Sequence, residues 1–285
     1  MLSRWTRDRL PVGNLDVYTG WVSTRRFDRD ASLAALRNEE FVLVVVGGGI
    51  TGAGVVLDAA ARGMKAALIE AGDFAEGTSS KSSKLAHGGL RYLQQGEVGL
   101  VYQALRERRR MLRNAPHLVE ILPFLIPMFG KGGVIPAKIS RLLGIAMWGY
   151  DLTGGWRIGK FHKRLDYDET LAYMPTLRRD RLVSSYLYYD ATVDDARLVV
   201  TILRTASLDH GAVVANRTPA VGLEKDSEGR INGVVVRPRR PGDDEEFTVR
   251  TRAVVNAAGV WVDDIREQDE GTNPDSIRPA KGIHI

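Results

Sequence analysis

The segment FVLVVVGGGITGAGVVLDAAARGMKAALIE, residues 41–70, constrains the fold of this chain more than any other. Its unbroken apolar run at residues 41–46, rich in β-branched side chains, predicts a strand buried on both faces of a parallel sheet. Glycines end that run, residues 55–62 have helical periodicity before Gly63, and residues 66–69 form the next apolar run. We therefore predict a complete βαβ unit and an α/β fold class.

Three glycines of this unit, Gly47, Gly49 and Gly52, match the G-x-G-x-x-G pattern. The match is informative because it follows a predicted strand, opens a predicted helix and precedes Glu70 at the end of the second strand. Gly47 allows a tight turn, Gly49 lets the backbone approach a pyrophosphate, and Gly52 lets the helix pack closely on the strand. The helix N-terminus offers N–H groups to phosphates, while Glu70 can accept from ribose hydroxyls and would repel a 2′-phosphate. These residues predict a dinucleotide site that disfavours NADP, but the glycines do not distinguish NAD from FAD.

Composition excludes several classes of protein and site. The 285 residues are 44% hydrophobic and 26% charged, which is typical of a globular chain of about two domains. The absence of cysteine excludes disulfide frameworks, thiolate zinc sites and iron–sulfur clusters, and no metal site is predicted. A transmembrane helix needs about 18–20 consecutive apolar residues, and no run in the sequence is that long. The first residues lack the apolar region of a secretory signal.

The net charge of +5 is compatible with nucleic acid, anionic lipid or an anionic substrate as a partner. Basic residues are spread along the chain, and their densest cluster, residues 105–113, is predicted to be a solvated helix face. Because no nucleic-acid module signature accompanies it, no nucleic-acid partner is predicted.

The rest of the chain predicts helices at 31–40, 97–115 and 193–210. Asp194 and Asp195 suit the cap and first turn of the last helix, and adjacent helical residues do not face each other, so we do not expect a catalytic pair. Residues 118–150 are apolar but interrupted by prolines, and residues 161–195 predict mixed short elements. Residues 211–250 predict a β-meander, and residues 253–259 predict a second buried strand. The last residues, AKGIHI, suggest an incomplete strand, so we expect truncation.

The segment after Glu70 is AGDFAEGTSSKSSKLAHGGLRYLQQGE, whose small hydroxyl residues and glycine pair could lie along an extended FAD. Here the sequence resembles the FAD-dependent glycerol-3-phosphate dehydrogenase family, over about residues 35–285. Two positions depart from the family pattern: Val260 stands in place of a proline, and Ser184-Ser185 in place of a glycine-rich lead-in. The motifs that carry the resemblance are DAAARG (58–63), TSS (78–80), SSKL (82–85), HGGLRYL (87–93), APHL (115–118), YYDATVDDARLVV (188–200) and AVVNAAGVWVDDI (253–265).

This resemblance implies a Rossmann-like FAD-binding domain of the glutathione-reductase and amino-acid-oxidase type, with a β-meander and part of an α+β substrate domain. From the same resemblance we expect the helical C-terminal domain of the family to lie outside these 285 residues. The implied divisions are an N-terminal extension (1–40), the first part of the FAD-binding domain (41–115), the first part of the substrate domain (116–185), the second part of the FAD-binding domain (186–265) and the start of the second part of the substrate domain (266–285).

The implied reaction is oxidation of sn-glycerol 3-phosphate to dihydroxyacetone phosphate. A hydride leaves C2 of the substrate for flavin N5, and electrons then pass to a membrane quinone. The family acts at the inner, cytoplasmic face of the membrane, and the mixture of basic and apolar residues at 118–150 suits contact with an anionic membrane surface. An ordinary buried segment is the alternative for 118–150, and a homodimer is compatible with the resemblance.

Arg91 and Tyr92 match substrate-pocket positions of the family, where arginine suits a phosphate or oxyanion and tyrosine can orient a hydroxyl. For Arg91 a structural salt bridge is the alternative. His87 could contact the flavin, serve as a base or be a packing element. The resemblance assigns cofactor binding to Gly47, Gly49, Ile50, Thr51, Gly52, Glu70, Thr78, Ser79, Ser80, Lys84, Leu85, His87, Gly88, Gly89, Ala258 and Gly259.

Two other functions remain open. One is an amine or amino-acid oxidase of the same fold, against which the HGGLRYL run argues. The other is an inactive FAD-binding fragment, and we expect residues 1–285 alone to bind FAD weakly and to lack turnover.

Overall fold

The computed structural model describes residues 27–89, 92, 95–130, 140–153, 159–239, 245–278, 280 and 282. The predictions for residues 1–26, for Arg91 and for the end of the chain lie outside this range. The helices are α1 (Arg29–Asn38), α2 (Ile50–Ala61), α3 (Val98–Asn114), α4 (Ser140–Thr153), α5 (Tyr167–Tyr173), α6 (Asp195–Leu208) and α7 (Val262–Glu270). The strands are β1 (Glu40–Phe41), β2 (Leu43–Val46), β3 (Ala66–Ile69), β4 (Leu85–Ala86), β5 (Val119–Phe129), β6 (Lys163–Leu165), β7 (Leu182–Val193), β8 (Val213–Ala215), β9 (Ala220–Lys225), β10 (Ile231–Val236), β11 (Phe247–Thr251) and β12 (Val254–Asn256).

A parallel sheet in the order β12-β2-β3-β8 is the centre of the fold. Alternate residues of β2 face opposite sides, with Val45 packed among residues of α2 and α6, and Val44 packed against Leu36 of α1. Both faces of the sheet are therefore buried, as the continuous apolar runs predicted. The predicted βαβ unit is confirmed as β2-α2-β3, and Gly63, with φ +80°, ends α2 in the left-handed conformation.

The prediction of one strand over residues 41–46 is wrong in its extent. Phe41 belongs to β1, which pairs in parallel with β11 of a second sheet, whereas β2 begins at Leu43 in the central sheet. Val42 lies at the crossing and is 38% exposed, while Phe41 is buried. A run of apolar residues does not show that its two ends belong to different sheets.

The second sheet has the order β1-β11-β10-β9, and its three later strands form the predicted antiparallel meander. Two details differ from the prediction. Residues 213–215, expected in the meander, form β8 and pair with β3 of the central sheet. The strand expected at 253–259 is half-buried, ends at Asn256 and is followed by a 3-10 helix, Gly259–Trp261.

A third sheet has the order β4-β7-β5, with β6 also paired to β7. Strand β5 continues through Pro123 and Pro127, where interruption was predicted. An edge strand tolerates proline because one side of it needs no ladder donor. Residues 182–193, predicted as part of several short elements, form the single 12-residue strand β7.

The helix predictions for α3 and α6 are confirmed, with one correction. Asp194 caps α6 by accepting a hydrogen bond from the Arg197 amide at 3.1 Å. Within the basic cluster 105–113, however, Arg108 is 0% exposed, so this cluster is not a wholly solvated face. Charge patterning alone does not reveal a buried arginine, because its partners lie far away in sequence.

Asp195 tethers the loop after β3 to the start of α6. Its carboxylate accepts hydrogen bonds from Lys84 Nζ and Ser82 Oγ, each at 2.6 Å. Burial raises the pKa of Asp195, but the hydrogen bonds from Lys84, Ser82 and the Ala196 amide outweigh burial and the pKa is lowered. The hydrogen bond to Asp195 raises the pKa of Lys84. The tether therefore contributes stability between two limits: it is lost as pH falls below about 3.9 through the Asp195 pKa, and as pH rises above about 10.4 through the Lys84 pKa.

We predict that Asp195→Asn loosens this loop at neutral pH, because the variant removes the charge that holds Lys84. Trypsin cleavage after Lys81 and Lys84, followed by mass spectrometry, should become faster by about threefold, the scale of a partly exposed ion pair. Asp194→Asn is the matched control, since asparagine is also a good helix cap. Equal cleavage rates in Asp195→Asn and the unmodified protein would contradict the tether.

Candidate cofactor-binding site

The glycine-rich turn lies where the strand order of the central sheet reverses. Strand β2 leads to β3 on one side, whereas β12, which comes last in the sequence, pairs with β2 on the other side. In open α/β sheets, ligands bind at such a point, outside the carboxyl ends of the strands. The turn at residues 47–49 follows β2, and the turn at residues 257–259 follows β12, so the two turns form adjacent walls of a crevice.

Close backbone contacts require glycine at two positions of the turn. Gly47 has φ +115°, and a Cβ atom there would lie 2.4 Å from the Ala257 carbonyl oxygen. A Cβ atom at Gly52 would lie 1.9 Å from the Gly47 carbonyl oxygen. Both contacts are with backbone, which cannot move aside, so the geometry agrees with the roles predicted for Gly47 and Gly52.

Gly49 and the first residues of α2 face the crevice. Gly49 is the N-cap of α2 and gives no side-chain cap, and a Cβ atom there would approach only the Ser79 side chain, at 3.1 Å. The Ile50 amide donates to Ser79 Oγ at 2.9 Å, and Ile50 and Thr51 are exposed. The positive end of α2 is thus open on one side and bordered by a hydroxyl, an arrangement that suits a phosphate group.

Glu70, at the end of β3, holds the turns around the crevice. Its Oε2 accepts from the Gly48 amide at 2.6 Å, and its Oε1 accepts from the Gly72 amide at 2.7 Å. Each carboxylate oxygen has a second lone pair, so Glu70 can still accept from ribose hydroxyls. The bracing of Gly48 and Gly72 was not predicted, because a fingerprint pattern assigns the acid to a ligand and is silent about backbone donors.

The loop at residues 77–80 approaches the turn that follows β12. Thr78–Ser80 is a 3-10 helix, and Ser80 Oγ donates to the Gly77 carbonyl at 3.4 Å. A Cβ atom at Gly77 would lie 3.1 Å from the Trp261 ring. Trp261 follows Ala258 and Gly259, which has φ +59°. Sequence analysis gave Trp261 no role, and the small-residue run before it is the signal that could have indicated its position beside this loop.

The HGG segment, residues 87–89, directly follows β4 of the third sheet. Leu85 lies in β4, paired with Thr192 of β7, and Lys84 directs its ammonium to Asp195. The Gly88 amide donates to Asp190, and Gly88 and Gly89 are buried whereas His87 is exposed. Gly89 has φ +72°, and the Tyr92 amide donates to its carbonyl at 2.8 Å. This hydrogen bond joins Tyr92 to Gly89 in what we call the His87–Tyr92 turn, and the side chains of His87 and Tyr92 are exposed.

The predicted residues fall into two groups. In the first group, direct contacts bring the glycine turn together with Glu70, Ser79 and Ala257, which precedes the predicted residue Ala258. The His87–Tyr92 turn follows β4 of the third sheet and is connected to α6 through Lys84. Among the described residues, no three histidine or acidic side chains cluster to hold a metal ion, and within that same part of the chain no helix is long and apolar enough to cross a membrane.

Known proteins are similar to this chain in sequence and in fold. The sequence model of the family described as FAD dependent oxidoreductase matches residues 43–285. Aerobic glycerol-3-phosphate dehydrogenases of Staphylococcus aureus strains USA300 and MRSA252 are each 41% identical over 259 residues, which is 91% of this chain and 45% of each relative. The chain therefore spans less than half the length of these curated relatives.

Solved structures are similar to this chain in fold. The glycerol-3-phosphate dehydrogenase from Bacillus halodurans complexed with FAD has a TM-score of 0.64 and 33% identity, covering 85% of this chain and 38% of that one. The L-proline dehydrogenase from P. horikoshii has a TM-score of 0.63 at 16% identity, covering 81% and 56%, and shows a shared fold alone.

The crevice fits the cofactor that these comparisons indicate. The open N-terminus of α2 suits a diphosphate, Gly49 leaves room for it, and Glu70 retains lone pairs for a ribose. The predicted α/β FAD-binding fold and the resemblance to glycerol-3-phosphate dehydrogenases are confirmed. This chain belongs to the FAD-dependent oxidoreductase family, and FAD is its cofactor.

Proposed function

We propose that this chain supplies the FAD-binding part, and a portion of the substrate-binding part, of an enzyme that oxidises sn-glycerol 3-phosphate to dihydroxyacetone phosphate. The 41% identity to aerobic glycerol-3-phosphate dehydrogenases over 91% of the chain is the observation that carries this proposal. The TM-score of 0.64 with a glycerol-3-phosphate dehydrogenase supports it. Bound FAD would supply the oxidising chemistry by taking up the hydride from the alcohol carbon.

The residues of the crevice would hold the ADP half of FAD. The amides at the start of α2 would donate to the diphosphate, with Ser79 Oγ, now 2.9 Å from the Ile50 amide, as an additional donor. Glu70 would accept from the ribose while bracing the amides of Gly48 and Gly72. Thr78, Ser80 and the Ala258–Gly259 turn would border the cofactor along its length.

The exposed side chains of the HGG segment would meet the substrate and the flavin. Tyr92 would orient the substrate hydroxyl, and His87 would contact the flavin or take up the hydroxyl proton. Arg91 would bind the phosphate or the developing oxyanion through its forked donors. These roles follow from the family motif together with the exposure of His87 and Tyr92 on one turn.

The electrons would then pass to a membrane quinone, which requires contact with the inner membrane face. Helix α4, which overlaps the end of the segment 118–150 considered for membrane contact and extends three residues beyond it, supports this proposal. Ile145, Trp148 and Leu152 are spaced along one face of α4 and are 69%, 56% and 74% exposed. An apolar helix face of this kind can bury into the headgroup region of a bilayer.

We predict that Gly49→Val weakens FAD binding by about tenfold or more, because the side chain would enter the space between the α2 N-terminus and Ser79. Quenching of flavin fluorescence during titration measures the affinity. Gly54→Ala is the matched control: a Cβ atom there meets nothing within 4 Å, and alanine favours the helix. Unchanged affinity in Gly49→Val would show that the turn has another role.

We predict that sn-glycerol 3-phosphate reduces the flavin of the longest natural gene product that contains these residues, and that it supports reduction of an artificial dye. Proline and glycine, tested in the same assay, should not. An enzyme that holds FAD, ignores glycerol 3-phosphate and oxidises an amino acid would favour the alternative, an amino-acid oxidase. Residues 1–285 alone are assayed in parallel, with turnover expected to be more than about tenfold lower because orientation and exclusion of water would be incomplete.

We predict that Leu152→Ser lowers binding to vesicles of phosphatidylglycerol and phosphatidylcholine by about tenfold, since burying a leucine side chain contributes about 1.5–3 kcal/mol. Cosedimentation measures the bound fraction. Val200→Ser, at an exposed apolar position of α6, is the matched control and should bind like the unmodified protein. Equal vesicle binding by all three proteins would exclude the α4 face from membrane contact.

A further inference from the structure

A buried ion pair connects α3 to the third sheet. Arg108 of α3 and Asp190 of β7 are 0% and 3% exposed, and Arg108 Nη1 donates to Asp190 Oδ1 at 2.6 Å. The same nitrogen donates to the Tyr150 hydroxyl at 2.8 Å. Burial raises the pKa of Tyr150, so its hydroxyl stays protonated, and it lies 3.4 Å from Asp190 Oδ2 as a donor. The Asp190 carboxylate is thus held by two side chains from two helices.

The other contact of Asp190 is with the HGG segment. The Gly88 amide donates to Asp190 Oδ1 at 3.0 Å and lies 3.3 Å from Oδ2. The packing at Gly88 leaves no room for a side chain, since a Cβ atom would lie 2.1 Å from Leu105 Cδ2 and 2.4 Å from the Tyr150 hydroxyl. Asp190 therefore fixes the Gly88 amide, and the packing of Leu105 of α3 and Tyr150 of α4 against Gly88 limits the position of this residue further.

Stability alone does not account for the ion pair. Within the part of the chain that the structure describes, Arg108 Nε and Nη2 are buried without a hydrogen-bond partner. Desolvating a charged group costs more than its pairing returns unless its remaining donors are satisfied, and apolar replacements of such pairs are often neutral. Arg108 contacts the Asp190 carboxylate through Nη1 alone, and this short charge-assisted hydrogen bond fixes the direction of the carboxylate.

We propose that Arg108 and Asp190 are positioning residues, which fix the Gly88 amide and thereby set the place of the His87–Tyr92 turn. His87 precedes the fixed amide, and Gly89, with φ +72°, turns the chain so that the Tyr92 amide meets the Gly89 carbonyl. Both exposed side chains therefore take their direction from the point that Asp190 holds. The contribution of the turn to catalysis rests on the proposed function, whereas the inference about the position of the turn does not.

The test compares Asp190→Asn, which keeps an acceptor for the Gly88 amide, with Asp190→Leu and with the double variant Arg108→Met/Asp190→Leu, which removes both charges. The variants are made in the natural gene product that contains residues 1–285. Hydrogen–deuterium exchange is measured in its FAD-loaded form for residues 85–89 and, as an internal reference, for residues 43–61. Ser185→Ala is the control, since Ser185 is a buried residue of the same strand that shares a hydrogen bond with Thr170.

We expect exchange at residues 85–89 to rise about tenfold or more in the double variant, as the amide loses a charged acceptor, with the reference segment unchanged. Asp190→Asn should stay close to the unmodified protein, and so should Ser185→Ala. Exchange that is unchanged at residues 85–89, or that rises equally in both segments, would overturn the proposal. A set of variants that all fail to fold would assign the pair to global stability and would overturn it as well.

Steady-state kinetics in the same variants supply the second measurement. We expect the FAD affinity to be retained, because the crevice lies on the central sheet, and kcat with glycerol 3-phosphate to fall about tenfold through misplacement of the turn. If glycerol 3-phosphate does not react with any form of the protein, the proposed function fails while the exchange result still decides the role of Arg108 and Asp190.

Discussion

The site depends on one steric constraint, the contact between backbone segments that follow β2 and β12. Gly47 approaches the Ala257 carbonyl so closely that a Cβ atom would lie 2.4 Å away, and Gly52 approaches the Gly47 carbonyl more closely still. These contacts aim the N-terminus of α2 into the crevice and bring the Ala258–Gly259 turn beside it. A side chain at either glycine would separate the strand ends or tilt α2, and the amides would then no longer converge on one point.

Acidic residues around this constraint act mainly as braces. Glu70 holds the Gly48 and Gly72 amides, Asp195 holds Ser82 and Lys84, and Asp190 holds the Gly88 amide. Each carboxylate joins a loop to a strand or to a helix start, and all three accept hydrogen bonds from backbone amides, whose positions do not change with rotamer. Charge-assisted hydrogen bonds of this kind are short and directional. Loops that carry the exposed side chains of His87 and Tyr92 and the half-buried Ser79 are therefore held in place by these carboxylates.

The parts that could be predicted from sequence are those set by local chemistry. The glycine turn, the helix after it and the Asp194 cap follow from backbone conformations and hydrogen bonds within a few residues. The failures all depend on distant partners. No residue near Val42 indicates that the chain passes from one sheet to another there. The prolines of β5 are tolerated because β5 is an edge strand that pairs with β7 on one side only. The burial of Arg108 depends on Asp190, 82 residues away, and Glu70 as a brace depends on where the Gly48 amide points.

The order of the strands has a consequence for how the site forms. Strands β2 and β3 and helix α2 are contiguous in sequence and can assemble from local contacts, but β12 pairs with β2 across about 200 residues, as the register of Val254 with Val44 shows. The wall that follows β2 is therefore built from residues close together in sequence. The wall that follows β12 is completed only after the meander has returned the chain to the central sheet. Pairing over such a separation must overcome a large loop-closure entropy. The three-stranded meander reduces this cost, because β9, β10 and β11 pair with sequence neighbours and β11 then docks on β1, next to the start of β2. The split of residues 40–46 between two sheets thus has a structural consequence. Because β11 pairs with β1, the returning meander is anchored two residues before β2, the strand with which β12 must pair.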